Sequence, residues 1–311
     1  MHFKTTVSII WYMLLSIAVT ASYARADDDC RYDPRSAISF VEIQSVNLLT
    51  QQPLTVKGKL QIPTESHQRK GCSAPERLRP AVVILHGSAG IDSRGDFYAR
   101  ALNAKGIATL EIDMWEARGV TDLASRPSHP IFTYPDAFAA LAFLSSYPGI
   151  NADRIGVMGF SWGGVVSMES ATQVYATQFG NQLRFKAHVA HYPICYAYNN
   201  PSIPYSEFGS KALNPLTGAP ILIQTGENDE YDEGGGPCLS LKAALSADEQ
   251  PLLEVMIYAG ASHGWDRLLV PTVAEDPFAH LGAGGTVNIV PSVDQAYQSR
   301  EKAVKFFVEK L

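Results

Sequence analysis

The sequence predicts an α/β protein whose central sheet is mostly parallel and carries helices on both faces, with an antiparallel strand pair added at its N-terminal side. Three observations predict it. Short apolar, β-branched runs such as PAVVILHG (80–87) and RIGVMGF (154–160) have the composition of strands buried on both faces. Segments with apolar residues three or four apart separate several of these runs. Two strands of partial polar/apolar alternation, 37–48 and 54–63, come first, with TQQP between them.

The elements follow in order. Residues 64–79 are polar, with Gly and Pro, and read as a surface loop. After the strand at 80–87, DFYARALNAKG (96–106) has helical spacing and ends at Gly106, a natural stop. IATLEID (107–113) is a second buried strand. YPDAFAALAFLSSYPG (134–149) is a helix. RIGVMGF is the third strand, and WGGVVSMESATQVY (162–175) the next helix. Further strands are expected at 185–193, 219–227 and 252–260, and a terminal helix at 292–311. Residues 196–218 lack a period and read as a long loop. No composition break divides 27–311, so one domain is expected there.

Residues 1–26 are different. Lys4 precedes an almost wholly apolar run, VSIIWYMLLSIAVTA (7–21), and ARA (24–26) precedes DDD. This is the pattern of a secretory signal cleaved after Ala26. The apolar run is shorter than the roughly 20 residues of a spanning helix. Cleavage would take the net charge from −6 to −8, since Lys4 and Arg25 leave and no acid does. No basic cluster is present to neutralise a run of phosphates, which argues against a nucleic-acid partner. No other stretch is long and apolar enough to make a membrane partner. The four cysteines, Cys30, Cys72, Cys195 and Cys238, lack metal-ligand spacing. In an exported chain they suggest disulfides.

The chemistry concentrates in four segments. GFSWGG (159–164) joins a buried strand to a helix, the setting in which Gly-x-Ser-x-Gly forms a sharp turn that exposes its serine. Gly159 and Gly163 are expected to be glycine because a side chain there would collide with the neighbouring strand and helix. Ser161 is the candidate nucleophile and needs a base. His263, in YAGASHGWD (258–266), lies just past the last strand. His188 and His191 lie in or at the end of a strand and read as packing residues. The acid that would orient His263 is sought in TGENDEYDEGGGPC (225–238), with Asp229 first and Asp232 second. That acidic run lacks the ligand alternation of a calcium loop. HGSAG (86–90) follows the first central strand and is the candidate oxyanion loop. The N–H groups of Trp162 and Ser88 are the expected donors, with Gly87 the alternative to Ser88. This chemistry requires no cofactor and no metal.

LHGSAG, RIGVMGFSWGG, TGEND and YAGASHGWD together resemble the dienelactone hydrolase family of α/β-hydrolases. The resemblance spans roughly residues 80–311, and its last motif is close to Y-x-G-A-x-H-G-F, with Trp265 in place of Phe. It implies the α/β-hydrolase fold, and nucleophile, acid and base roles for Ser161, Asp229 and His263. The best-known members carry Cys at the elbow and Glu in the loop that reads HGSAG here. The serine therefore points to a general ester hydrolase acting on a small-molecule ester, not to dienelactone. A peptidase with the same triad and a non-catalytic binding protein are the alternatives. On this sheet order, Cys195 and Cys238 would emerge at one edge and pair. Cys30–Cys72 would then close a loop of about 43 residues, worth roughly 4 kcal/mol. Trp115, Arg118, Tyr196, Tyr198, Tyr205, Phe208 and Trp265 are candidates to line the substrate pocket.

Overall fold

The computed structural model describes residues 36–63, 78–198, 213 and 215–311. The signal-like segment, Cys30, Cys72, Tyr205 and Phe208 lie outside the described residues.

The chain builds an eight-stranded sheet in the order β1-β2-β4-β3-β5-β6-β7-β8. The first two strands, β1 (Ser36–Asn47) and β2 (Gln52–Pro63), form the expected antiparallel pair. β2 joins β4 (Ala108–Asp113) antiparallel. From there the sheet is parallel through β3 (Arg79–Leu85), β5 (Ile150–Phe160), β6 (His188–His191), β7 (Ile221–Asn228) and β8 (Leu253–Ser262).

The strand pleat distributes the core to two faces. Val83, Leu85 and Val157 point to one side and pack with Ala137, Leu141 and Leu144 of α2 (Tyr134–Ser145). Their neighbours Val82, Ile84, Met158 and Phe160 point to the other. There they meet Tyr98 and Leu102 of α1 (Ser93–Asn103) and Phe307 of the terminal helix. Asp92 caps α1 by accepting the Arg94 N–H at 3.1 Å.

The segment expected as one helix over 162–175 is two: α3 (Trp162–Glu169) and α4 (Gln173–Phe179). The break has a local cause. Ser170 and Thr172 hydroxyls donate to the carbonyls of Ser167 and Glu169, each at 2.8 Å, which competes with helix continuation. The backbone of 171–173 then pairs with Pro215 and Thr217. Two helical turns, α5 (Cys195–Tyr198) and α6 (Gly236–Ala243), flank the acidic run. The sequence predicts no strand in 272–289, yet β9 (Thr272–Asp276) and β10 (Gly285–Ile289) form a separate antiparallel pair around the short turn α7 (Ala279–Gly282). Helix α8 (Val293–Lys310) ends the chain. Among the described residues, no helix is long and apolar enough to cross a membrane.

Glu169 is buried at the end of α3, and its Oε1 has no hydrogen-bond partner among the described residues. Burial raises its pKa to about 8 from an ordinary 4.5. The folded protein therefore holds this proton more tightly than the unfolded chain, and stability falls as pH rises through that interval. Replacing Glu169 with Gln should flatten the decline of Tm between pH 5 and pH 8. Thermal unfolding of both proteins across that range checks it; parallel curves would reject it.

Candidate active site

β5 ends at Phe160 and α3 begins at Trp162, so Ser161 alone makes the turn. Its backbone has φ 51° and ψ −110°, a sparsely populated conformation for a residue with a side chain. The surroundings hold it there. The Ser161 N–H donates to the His191 carbonyl at 2.9 Å, and the Gly163 N–H to the His86 carbonyl at 3.1 Å. A Cβ on Gly159 would lie 2.0 Å from the Gly163 carbonyl oxygen. One on Gly163 would lie 2.3 Å from that of Leu85. The helix can approach the strands this closely only because both positions are glycine.

His263 stands just beyond β8. Its Nδ1 donates to Asp229 Oδ2 at 2.9 Å. Because a carboxylate only accepts, the proton sits on Nδ1 and Nε2 is left as an acceptor. Ser161 Oγ lies 2.9 Å from that Nε2. Asp229 Oδ1 accepts the Tyr231 N–H at 3.0 Å. The rings of Tyr192 and Tyr231 pack on His263, with centroids 4.8 and 4.4 Å away. Ser161, His263 and Asp229 thus form one hydrogen-bonded chain.

Asp232, the second candidate acid, is engaged elsewhere. Its carboxylate accepts the N–H groups of Cys195 and Tyr196 at 2.9 and 2.8 Å, holding the start of α5. Burial, together with the Asp229 charge, pushes its pKa well up. Cys195 and Cys238 are joined in a disulfide beside it. Glu230 accepts from Asn288, and Glu233 pairs with His280. The acidic run therefore anchors α5 and the β9–β10 pair as well as His263.

The HGSAG loop is fixed by its carbonyls. His86 Nδ1 donates to Gly87 O at 2.8 Å, while its Nε2 accepts the Met114 N–H at 2.9 Å. Trp115 Nε1 donates to Ser88 O at 3.1 Å. Across a trans peptide the N–H points opposite to the carbonyl, so the Ser88 N–H faces away from His86. Among the described residues, neither it nor the Trp162 N–H has a hydrogen-bond partner.

Ser161 sits between two compartments. The wider, about 630 Å³, is bordered by His263, Trp115 and Asp113. The narrower, about 30 Å³, is bordered by Trp162, Val165 and Phe278. Ser88, Ser161, Tyr231 and Asp276 border both.

Of the candidate pocket residues, Trp115 and Tyr198 do line this space. Three others do not. Trp265 is fully buried against Tyr192 and Tyr258, and its Nε1 donates to Ser299 Oγ. Arg118 is turned inward, with Nη1 2.6 Å from Asp136 Oδ2 and Nη2 3.0 Å from the Phe132 carbonyl. Tyr196 is buried and donates to the Phe278 carbonyl.

Sequence reasoning missed Arg126 and Asp276. They form an ion pair at 2.9 Å, with the guanidinium over the rings of Trp162 and Phe278. They lie 150 positions apart in irregular or unrecognised segments, so no local pattern marks them. Tyr231 was within reach, two residues past Asp229.

Known proteins bear on this arrangement. The model of the dienelactone hydrolase family matches residues 72–271. A Bradyrhizobium protein named probable 2-oxo-3-(5-oxofuran-2-ylidene)propanoate lactonase is 25% identical over 195 residues, covering 60% of this chain and 73% of its own. Among solved structures, an esterase from Pyrobaculum calidifontis aligns at 19% identity and TM-score 0.55, over 88% of this chain and 84% of its own. A dienelactone hydrolase from Anabaena variabilis aligns at 18% identity and TM-score 0.52, over 89% and 99%. The structural likenesses show the α/β-hydrolase fold.

The elbow geometry makes a direct prediction. Gly163→Ala should destabilise the protein by about 3 kcal/mol or more, since backbone and not a movable side chain opposes the new methyl. Urea unfolding measures this; a loss under about 1 kcal/mol would mean α3 can move away.

Proposed function

The chain belongs to the dienelactone hydrolase family and is a hydrolase acting on ester bonds, and from that premise we propose that it cleaves carboxylic esters through Ser161, His263 and Asp229. The observation that carries this is the unbroken hydrogen-bonded chain from Ser161 Oγ through His263 to Asp229. Ser161 Oγ attacks the ester carbonyl carbon, and its proton passes to His263 Nε2. The tetrahedral oxyanion is met by the N–H groups of Trp162 and Ser88. The C–O bond to the alcohol then breaks, and His263 returns the proton to the departing oxygen. Water, deprotonated by His263, releases the acid from the acyl-serine. Asp229 keeps the imidazole in the required tautomer and stabilises its charged form.

Ester cleavage is favoured over peptide cleavage by the family. Covalent labelling by a fluorophosphonate would exclude a binding-only role. Ser161→Ala should abolish labelling and lower kcat by roughly 10⁶-fold, with unchanged circular dichroism. Asp229→Asn should lower kcat by roughly 10⁴-fold. Full turnover by the Ser161 variant would reject the mechanism. Faster cleavage of an amide than of its matching ester would assign a peptidase.

We also propose that the protein is exported to an oxidising compartment and matures as 27–311. The Cys195–Cys238 bond and the apolar segment before Ala26 support this reading. Mass spectrometry of protein from the periplasm or medium should give an N-terminus at Asp27; recovery of the uncut chain in the cytosol alone would reject it.

A further inference from the structure

The two compartments beside Ser161 are unequal, and His263 tells them apart. His263 must hand a proton to the departing alcohol oxygen, so that oxygen has to lie within hydrogen-bond reach of Nε2. His263 borders the wide compartment and is not among the residues bordering the narrow one. The alcohol portion therefore extends into the wide side, and the acyl chain into the narrow side.

The narrow side is walled by Trp162, Val165, Ile194, Ala197, Tyr198 and Phe278. Its free space is about 30 Å³. That is about a twentieth of the space on the wide side, so a short acyl chain suits it. Arg126 adds to the constriction. It is held over Trp162 and Phe278 by Asp276, so this wall is braced from two sides.

The wide side, about 630 Å³, has a different character. The carboxylates of Asp113 and Glu116 border it, 29% and 51% exposed; Glu116 Oε1 pairs with Lys57, and Asp113 Oδ1 accepts the N–H groups of Trp115 and Glu116, so each uses one oxygen on these partners. Its two arginines, Arg94 and Arg267, are both ion-paired with Asp92. Trp115 supplies a flat apolar wall. Exposed carboxylate acceptors next to an aromatic ring suit an alcohol that carries several further hydroxyl groups.

We infer that the preferred substrate is a short-acyl ester, an acetate or close to it, of a bulky hydroxyl-rich alcohol, an inference that rests on Ser161 acting as proposed above. Two substrate series test it. Across 4-nitrophenyl acetate, butyrate, hexanoate and octanoate, kcat/KM should fall at least about tenfold from acetate to hexanoate. With the acyl group fixed as acetyl, glucose 6-acetate should be cleaved at least about tenfold faster than ethyl acetate. Val165→Ala should raise the hexanoate-to-acetate ratio of kcat/KM about tenfold. Ile194→Ala, at the same wall, reads that ratio should Val165→Ala fail to fold. A flat or rising acyl series, or equal turnover of the two acetates, would overturn the inference while leaving the Ser161 mechanism standing. No turnover of any ester, with no fluorophosphonate labelling, would instead overturn that mechanism and the inference with it.

Discussion

The structure depends on how closely helix α3 sits against the sheet. Gly159 and Gly163 bring the helix backbone into contact with the ends of β5 and β3. That contact forces Ser161 into a backbone conformation it would not adopt alone, and two hydrogen bonds, to His191 and from Gly163 to His86, keep it there. The same contact brings the first N–H of α3 near the loop after β3, the two elements that carry the donors proposed above.

A second layer of order lies beneath His263. Arg94, buried on α1, pairs with Asp92 and donates to Tyr192 Oη at 2.9 Å. Tyr192 donates to Asp266, which also accepts from Tyr98 at 2.8 Å. Tyr192 in turn packs on the imidazole. Burying this many polar groups is tolerable because each has a partner. His188 and His191, in the same sheet, are pushed down by burial to about 4 and about 3. They stay neutral and pack, as their place on a strand suggests.

Much of this was legible in the sequence, for definite reasons. Parallel strands buried on both faces leave short β-branched apolar runs such as AVVIL, which their length and composition mark as strands. Glycines forced by backbone contact leave G-x-S-x-G. Asp229 and His263 could be sought because each follows a strand. What was not legible depends on tertiary partners. In WGGVVSMESATQVY the hydroxyls of Ser170 and Thr172 loosen the helix locally, but the pairing with Pro215 and Thr217 that completes the break is remote in sequence. Trp265 and Arg118 look like pocket residues until Ser299 and Asp136 claim them. Five-residue strands flanked by Pro and Gly, as in β9 and β10, are too short for alternation to register.

That late strand pair has a consequence of its own. β9 and β10 pair with each other in a two-stranded sheet separate from the main one among the described residues. Yet this pair contributes Asp276, which borders both compartments. Part of the cavity wall thus belongs to a piece of backbone separate from the strand ends that carry Ser161, Asp229 and His263. A lineage, or an engineer, can redraw the outline of the cavity by exchanging residues 272–289 while the turn at Ser161 keeps its shape.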